Sequence, residues 1–408
     1  MGGARRLRPF ETTPSNPRVL TFLHSFEPGG VERIALRLLR RWRELGVDAP
    51  LFLGRTDGAM RDVGADLDVI TPPRRGPLVA RMETLWMIWT LPRVVRRLRP
   101  DVLFCAGNTY AIVALALKAL LGRDCPPVLL KVSNDLDRRD QPGWFRFFYR
   151  LWLKAQGRYI DHFVGLETPM ADEIRLALGV SADRVTIIPD PALSASLIER
   201  LRAQPRGPGA GSGRRFVSVA RLTPQKNMAL MLRGFSRGAQ EGDTLTVIGD
   251  GPERAKLESL AKHLGLERRV IFKGYVAEPA AQLPSFDVLL LSSNYEGVPA
   301  VILEALAAGL PIIATDCSRS MATLLDHGAL GVLVPTGDES AFAAAIAAAR
   351  PGSQDPRRSL DQARRFTLEE AAETYLATLS RLGPKAAMNT PTAASTSAAT
   401  SSAEGSPT

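Results

Sequence analysis

The stretch Ser293-Asn-Tyr-Glu-Gly-Val-Pro-Ala-Val-Ile-Leu-Glu-Ala-Leu-Ala-Ala-Gly-Leu-Pro-Ile-Ile-Ala-Thr-Asp316 carries two glutamates, Glu296 and Glu304, separated by seven residues. Between them the sequence predicts the start of a helix: Gly297 in a turn, then Pro299 near the first helical position, where its missing N–H costs nothing. Five helical residues advance about 7.5 Å, so Glu296 stands at the mouth of the helix and Glu304 well inside it. Free amides near Gly297 and Val298 point into that mouth. A polar ligand laid along this end meets a carboxylate at each extremity and amides between. The apolar run 310–315, entered through Gly309, reads as a buried strand.

Working upstream, the strand-like run 216–220 leads into Arg221-Leu-Thr-Pro-Gln-Lys226. Arg221 then sits at the carboxyl end of a strand, where open α/β sheets bind ligands. Two cations there suit a diphosphate, the arginine as a fork and the lysine as a point charge. Gly249-Asp-Gly-Pro252 and Lys273-Gly-Tyr-Val276 are further turns after strands, with glycines that permit close backbone approach.

These motifs together resemble family 4 of the retaining glycosyltransferases. The resemblance covers residues 18–382 and is strongest over 216–336. It implies the GT-B fold, an α/β architecture of two Rossmann-like doubly wound domains facing across a cleft. It implies a metal-independent transfer of a sugar from a nucleotide-diphosphate sugar to an acceptor hydroxyl, with retained configuration and no cofactor beyond the donor. By resemblance, Arg221 and Lys226 serve the leaving diphosphate, Glu296 the sugar and Glu304 the ribose. Gly297 and Val298 lie along the donor, and Gly249, Tyr275 and Val276 surround the base. One departure is the segment 317–325, which lacks the Gly-Gly pair and downstream Glu of many members, so donor contacts from that loop do not transfer. Two alternatives are a sugar-nucleotide epimerase of the same fold and a catalytically inactive GT-B partner subunit. The first needs an acid/base set that the sequence does not offer. The intact Arg221, Lys226, Glu296 and Glu304 argue against the second.

The first half also alternates strand-like and helix-like segments, with apolar runs at 19–23, 51–53, 102–105, 128–132, 163–166 and 185–188. Residues 31–42 have helical periodicity, with Ile34, Leu38 and Trp42 on one face. Gly29 and Gly30 precede that helix; amides there can face an anion or sugar hydroxyls, but the G-x-G-x-x-G spacing is absent. The resemblance makes this loop, with Asn134 and Asp135 after the run 128–132, the acceptor and phosphate side of the cleft. Relatives carry a His near Asn134 that this chain lacks; His24 ends the first strand and is either a cleft residue or a structural one. Asp66-Leu-Asp68 and Asp135-Leu-Asp137 read as chance strings and not as a metal site.

The expected organisation is a tail at 1–15, a first domain at 16–202, a Gly/Pro-rich linker at 203–214 and a second domain at 215–365. A helix at 366–382, opened by the capping box Thr367-Leu-Glu-Glu370, then returns towards the first domain, and 383–408 is a disordered tail. The 408 residues suffice for two cores, and the apolar content of 45% suits a globular protein. No apolar run reaches the roughly 18–20 residues that span a bilayer, and the N-terminus lacks a signal-peptide core. Widely spaced Cys105, Cys125 and Cys317 form no metal pattern and point to a reducing, cytoplasmic setting.

Of the net charge of +10, residues 1–200 hold 30 Lys/Arg against 22 Asp/Glu, and all five tryptophans lie there. That half therefore favours an anionic partner. No nucleic-acid recognition motif is present. The segments 74–99 and 144–154 interleave arginine with tryptophan and phenylalanine, which suits an anionic membrane surface and a peripheral protein meeting a glycan or lipid-linked acceptor.

Overall fold

The computed structural model describes residues 16–383 except 28, 59, 73–81, 135, 137–141 and 205–212. Asp135, Asp137, Arg74, Arg75, most of the linker and both tails beyond these limits lie outside the described residues. Two wholly parallel sheets form. The first contains β1 (Val19–Leu23), β2 (Leu51–Leu53), β3 (Val69–Ile70), β4 (Val102–Cys105), β5 (Val128–Lys131), β6 (His162–Gly165) and β7 (Val185–Ile187), in the order 3-2-1-4-5-6-7. The second contains β8 (Arg215–Val219), β9 (Thr244–Ile248), β10 (Val270–Gly274), β11 (Val288–Leu291), β12 (Ile312–Thr315) and β13 (Val332–Val334), in the order 10-9-8-11-12-13.

Each sheet is covered by helices, which is why the strands read as continuous apolar runs and not as alternations. Strand order reverses beside β1 in the first sheet and beside β8 in the second. At each reversal the chain leaves neighbouring strands in opposite directions and opens a crevice at their carboxyl ends. The loops after β1, β4, β8 and β11 therefore own the cleft. The two-residue β3, flanked by polar residues, escaped the sequence reading because it is too short to show a pattern.

Helix α1 (Gly30–Glu44) buries Ile34, Leu38 and Trp42 on one face. Helices α2 (Glu83–Leu98), α3 (Ala111–Leu121), α4 (Gly143–Tyr159) and α5 (Met170–Leu178) complete the cover of the first sheet. Helix α6 (Ala195–Ala203), expected in the first domain, packs on α9 (Ala300–Ala308) of the second, through its buried Leu197, Ile198 and Leu201. Helix α7 (Met228–Gly238) follows β8, α8 (Arg254–His263) follows β9, and the short α10 (Met321–Leu324) and α11 (Glu339–Ala348) flank β13. The chain crosses over near Leu193, which pairs in parallel with Thr367 on the return.

Past α12 (Pro356–Arg364), the last helix α13 (Leu368–Leu382) lies on α1. The Trp42 Nε1–H donates to the Ala372 carbonyl at 3.1 Å, and the Tyr375 ring meets Trp42 and Phe104 edge-on. Each such aromatic pair adds about 0.5–1.5 kcal/mol beyond its burial. The expected capping box is absent: Thr367 makes no side-chain cap, and Glu369, not Glu370, turns outward to the Ala195 amide at 3.4 Å. The crossover pairing already fixes the helix entry, with the Leu368 N–H donating to the Leu193 carbonyl at 2.8 Å.

Candidate active site

The second-domain wall of the cleft is built from three loops tied together. Gln225 donates to the Tyr295 carbonyl at 2.9 Å, and the Asn294 amide donates to the Gln225 carbonyl at 2.8 Å. Ser292 Oγ donates to the Lys226 carbonyl, and Thr315 Oγ to the Ser293 carbonyl. The loops after β8, β11 and β12 thus behave as one unit at the switch point. Asn227, held at φ +44°, accepts from the Leu230 amide and starts α7.

On this unit Lys226 Nζ forms an ion pair with Glu296 Oε1, and the same oxygen accepts from Ser293 Oγ at 2.7 Å. Glu296 is buried. Arg221 is exposed two residues beyond β8, and its guanidinium makes no hydrogen bond or ion pair with any described residue. The pair therefore contributes a nearly neutral, rigid feature, and Arg221, five residues upstream on the same loop, an unspent positive charge. An anion entering here meets a free fork and a lysine whose present partner is a carboxylate.

Helix α9 begins one residue later than expected: Pro299 is its N-cap and Ala300 its first residue. Glu296 lies at its mouth and Glu304 a full turn inside, as the spacing predicted. Glu304 is only 5% exposed, and burial raises its pKa against the opposing influence of Arg33 and Arg37 from α1. Gly297 has a role that the sequence did not reveal. A Cβ there would overlap the Ser133 carbonyl oxygen and come 3.1 Å from the Asn134 Cα, and Gly297 pairs with Asn134 in an antiparallel bridge. The glycine lets the two domains touch backbone to backbone. Val298 is buried behind it.

Gly249, at φ +132°, donates to the Gly274 carbonyl at 2.8 Å; a side chain would strike the Ala220 carbonyl. Tyr275 is 54% exposed and Val276 half-buried on the adjoining turn. The segment after β12, where the sequence departs from the family pattern, has a contact within its own domain and one to the other. Ser318 Oγ donates to the Gly297 carbonyl at 2.7 Å, and Arg319 reaches Glu173 of α5 at 3.8 Å.

Across the cleft, Gly29 caps α1 and Gly30 opens it with open space above its Cα. That helix mouth is already occupied from within: the Glu32 carboxylate folds back over Gly29, and its Oε1 accepts from the Tyr110 hydroxyl at 2.6 Å. His24 is held at the end of β1, with its ring 4.7 Å from Tyr110 and Nε2 3.2 Å from Thr84 Oγ. Burial lowers its pKa, which favours a neutral ring at pH 7. Asp66 is engaged by Arg40 through two hydrogen bonds, at 3.0 and 2.8 Å. The sequence reading missed Glu32, Arg33, Arg37 and Tyr110. The Glu-Arg pair directly after Gly29-Gly30-Val31 was the available signal.

Two family models match the chain: "Glycosyl transferase 4-like domain" over residues 29–191 and "Glycosyl transferases group 1" over 213–349. The lipopolysaccharide core biosynthesis glycosyltransferase LpsE of Rhizobium meliloti is 26% identical over 332 residues, covering 80% of this chain and 87% of LpsE. Among solved structures, the apo lipopolysaccharide outer core galactosyltransferase WaaB aligns with TM-score 0.66 at 18% identity, over 88% of this chain and 98% of WaaB. HepE from Anabaena, solved with UDP and glucose, aligns with TM-score 0.65 at 20% identity, over 89% of this chain and 99% of HepE. Both share the two-domain fold described above.

Proposed function

This chain belongs to the glycosyl transferases group 1 family and has the GT-B fold, and from that premise we propose a retaining, metal-independent transfer of a sugar from a nucleoside-diphosphate sugar to a glycoconjugate acceptor. The observation that carries the reading is the switch-point constellation: an unpaired Arg221 on the same loop as Lys226, the Lys226–Glu296 pair, and Glu304 one turn deeper. UDP in the HepE structure and the lipopolysaccharide role in the LpsE name support a nucleotide donor and an envelope glycan acceptor.

In this reading the bond from the anomeric carbon to the phosphate oxygen breaks, and negative charge grows on the diphosphate. Arg221 and Lys226 stabilise that charge, and Glu296, released from Lys226, orients the sugar. The departing phosphate oxygen takes the acceptor's hydroxyl proton as the new bond forms on the same face. No separate base is then required, which fits His24 being tied to Thr84. Ser133, Asn134, Gly29 and Gly30 line the opposing wall, where the acceptor enters.

The test is incubation with UDP-, GDP-, ADP- and dTDP-sugars, reading nucleoside diphosphate release and the anomeric configuration of product by NMR. Release from one donor with retained configuration supports the proposal. Interconversion of the donor sugar makes the protein an epimerase, and inertness towards all four makes it a silent partner subunit.

The acceptor side further suggests work at an anionic membrane on its cytoplasmic face. Helix α4 exposes Trp144 (69%), Phe147 (58%), Phe148 (63%) and Leu151 (55%), which fall at i, i+3, i+4 and i+7 on one face. Among the described residues no helix is long and apolar enough to cross a membrane.

A further inference from the structure

The Glu304 carboxylate makes no hydrogen bond and no ion pair with a described residue, although the residue is only 5% exposed. A carboxylate held largely away from water without a partner is costly. Something must offset that cost or use the group.

The backbone shows what lies opposite. Val31, on the first turn of α1, packs on Gly107; Gly107 packs on Ser133; Ser133 packs on Gly297, at the entry to α9. The start of α1 therefore lies across the domain boundary from the entry to α9, with Gly107 and Ser133 between them. Arg33 and Arg37 are four residues apart on α1 and share a face. Arg37 Nη1 donates to the Ala192 carbonyl at 2.7 Å, which fixes it at the crossover just before α6, the helix that packs on α9, while the Arg33 guanidinium makes no hydrogen bond or ion pair with a described residue. From there their positive charges oppose the upward push of burial on the Glu304 carboxyl. Other charges nearby are spent elsewhere. Asp190 and Glu278, which act on Arg37, pair with Lys131 and Arg200. On α12, Arg358 pairs with Asp326.

We infer that Arg33 and Arg37 are positioning residues that supply, from the first domain, the counter-charge for the buried Glu304 carboxylate that takes the ribose hydroxyls. This rests on the reading of Glu304 as the ribose ligand. It makes nucleotide grip conditional on domain closure, because carboxylate and counter-charge belong to different domains. It also sets a pH dependence: without the guanidinium groups, burial alone governs Glu304, which then takes a proton at higher pH and loses its charge for the ribose.

The experiment is calorimetric titration with UDP, GDP, ADP and dTDP from pH 4.5 to 8.5, on wild type, Arg33→Gln, Arg33→Lys, Arg33→Gln/Arg37→Gln and Glu304→Gln. For whichever nucleotide binds, the pH at which affinity falls should rise by about one unit in Arg33→Gln, further in the double variant, and return in Arg33→Lys. Adding Arg33→Gln to Glu304→Gln should change nothing. Arg37→Gln also loses its bond to Ala192, so Arg33→Gln decides the matter if the double variant melts early. An affinity loss of equal factor at every pH, or none, overturns the inference while leaving the ribose reading intact. If Glu304→Gln binds like wild type, or no nucleotide binds wild type at all, the ribose reading fails and the inference with it.

Discussion

The backbone of Gly297 rests against the Ser133 carbonyl, and through that contact the mouth of a second-domain helix closes on the first domain. Arg319 on Glu173 and Arg365 on Glu167 are two more bridges of the same closure, each ending on a carboxylate buried in the first domain. The described arrangement is thus a closed cleft whose tightest point is a glycine.

Gly297→Ala should keep both domains folded but hold them apart, since overpacking a tight contact costs about 1–3 kcal/mol. The radius of gyration by small-angle scattering should increase and kcat/KM should fall at least about tenfold, a loss of roughly 1.4 kcal/mol in transition-state binding. An alanine variant with wild-type scattering and rate would show that the closed contact is irrelevant to turnover.

Arg221 and Lys226 should separate in their effects on stability. Arg221→Ala removes an unpaired exposed group, so the melting temperature should hold while kcat drops about 10²–10³-fold. Lys226→Ala also strands the buried Glu296, and should cost about 1–3 kcal/mol of stability besides the rate. Scanning calorimetry beside steady-state kinetics distinguishes the two, and equal melting shifts would refute the pairing seen here.

Glu304 gives a pH signature in the nucleotide-free protein. Its folded pKa is raised above the ordinary 4.5 by burial, so the folded state holds the proton more tightly than the unfolded chain. Its contribution to stability is complete below pH 4.5 and is lost as pH rises through the folded value. Glu304→Gln removes that loss: the variant should match wild type at pH 4 and exceed it at pH 7, in urea unfolding followed at both. A variant less stable at pH 7 would mean that Glu304 is a structural anchor.

The parts of this picture legible in the sequence are those written locally. Parallel buried strands announce themselves as apolar runs, and the Glu296–Glu304 interval with Pro299 fixed a helix to within one residue. What lay hidden depends on residues distant in the chain. Nothing local says that Gly297 must admit Ser133, that Glu304 is buried without a side-chain partner, or that Leu193 pairs with Thr367 and so removes the need for a cap. The packing of helix α6 on α9 was hidden for the same reason: its amphipathic pattern shows a buried face but not what covers it.

Metal removal should leave the enzyme working. Asp66 is committed to Arg40, and in the proposed reading Arg221 and Lys226 supply the positive charge that the diphosphate needs. Transfer measured in EDTA should equal the untreated rate. Loss of activity that Mg²⁺ or Mn²⁺ restores would call for metal ligands and revive the carboxylates at 66, 68, 135 and 137.

Membrane docking should divide into an apolar and an electrostatic part on different helices. On α4, Trp144, Phe147, Phe148 and Leu151 leave a face that nothing among the described residues covers. Burying such side chains is worth roughly 1.5–3 kcal/mol each. On α2, Trp89 is exposed and carries Arg93 over its ring at 4.6 Å, with Arg96, Arg97 and Arg99 exposed around the helix end. Each arginine near an anionic surface adds about 1 kcal/mol that fades within a Debye length. Changing Trp144, Phe148 and Leu151 together to Ser should therefore abolish liposome flotation at every salt concentration. Changing Arg93, Arg96, Arg97 and Arg99 to Gln should instead remove the salt-sensitive part and the preference for anionic lipid. Both variants should keep their donor hydrolysis rate, because the second domain is untouched. If wild type floats no better with anionic than with neutral vesicles at low salt, the surface does not read membrane charge, and a soluble acceptor takes the place of a lipid-linked one.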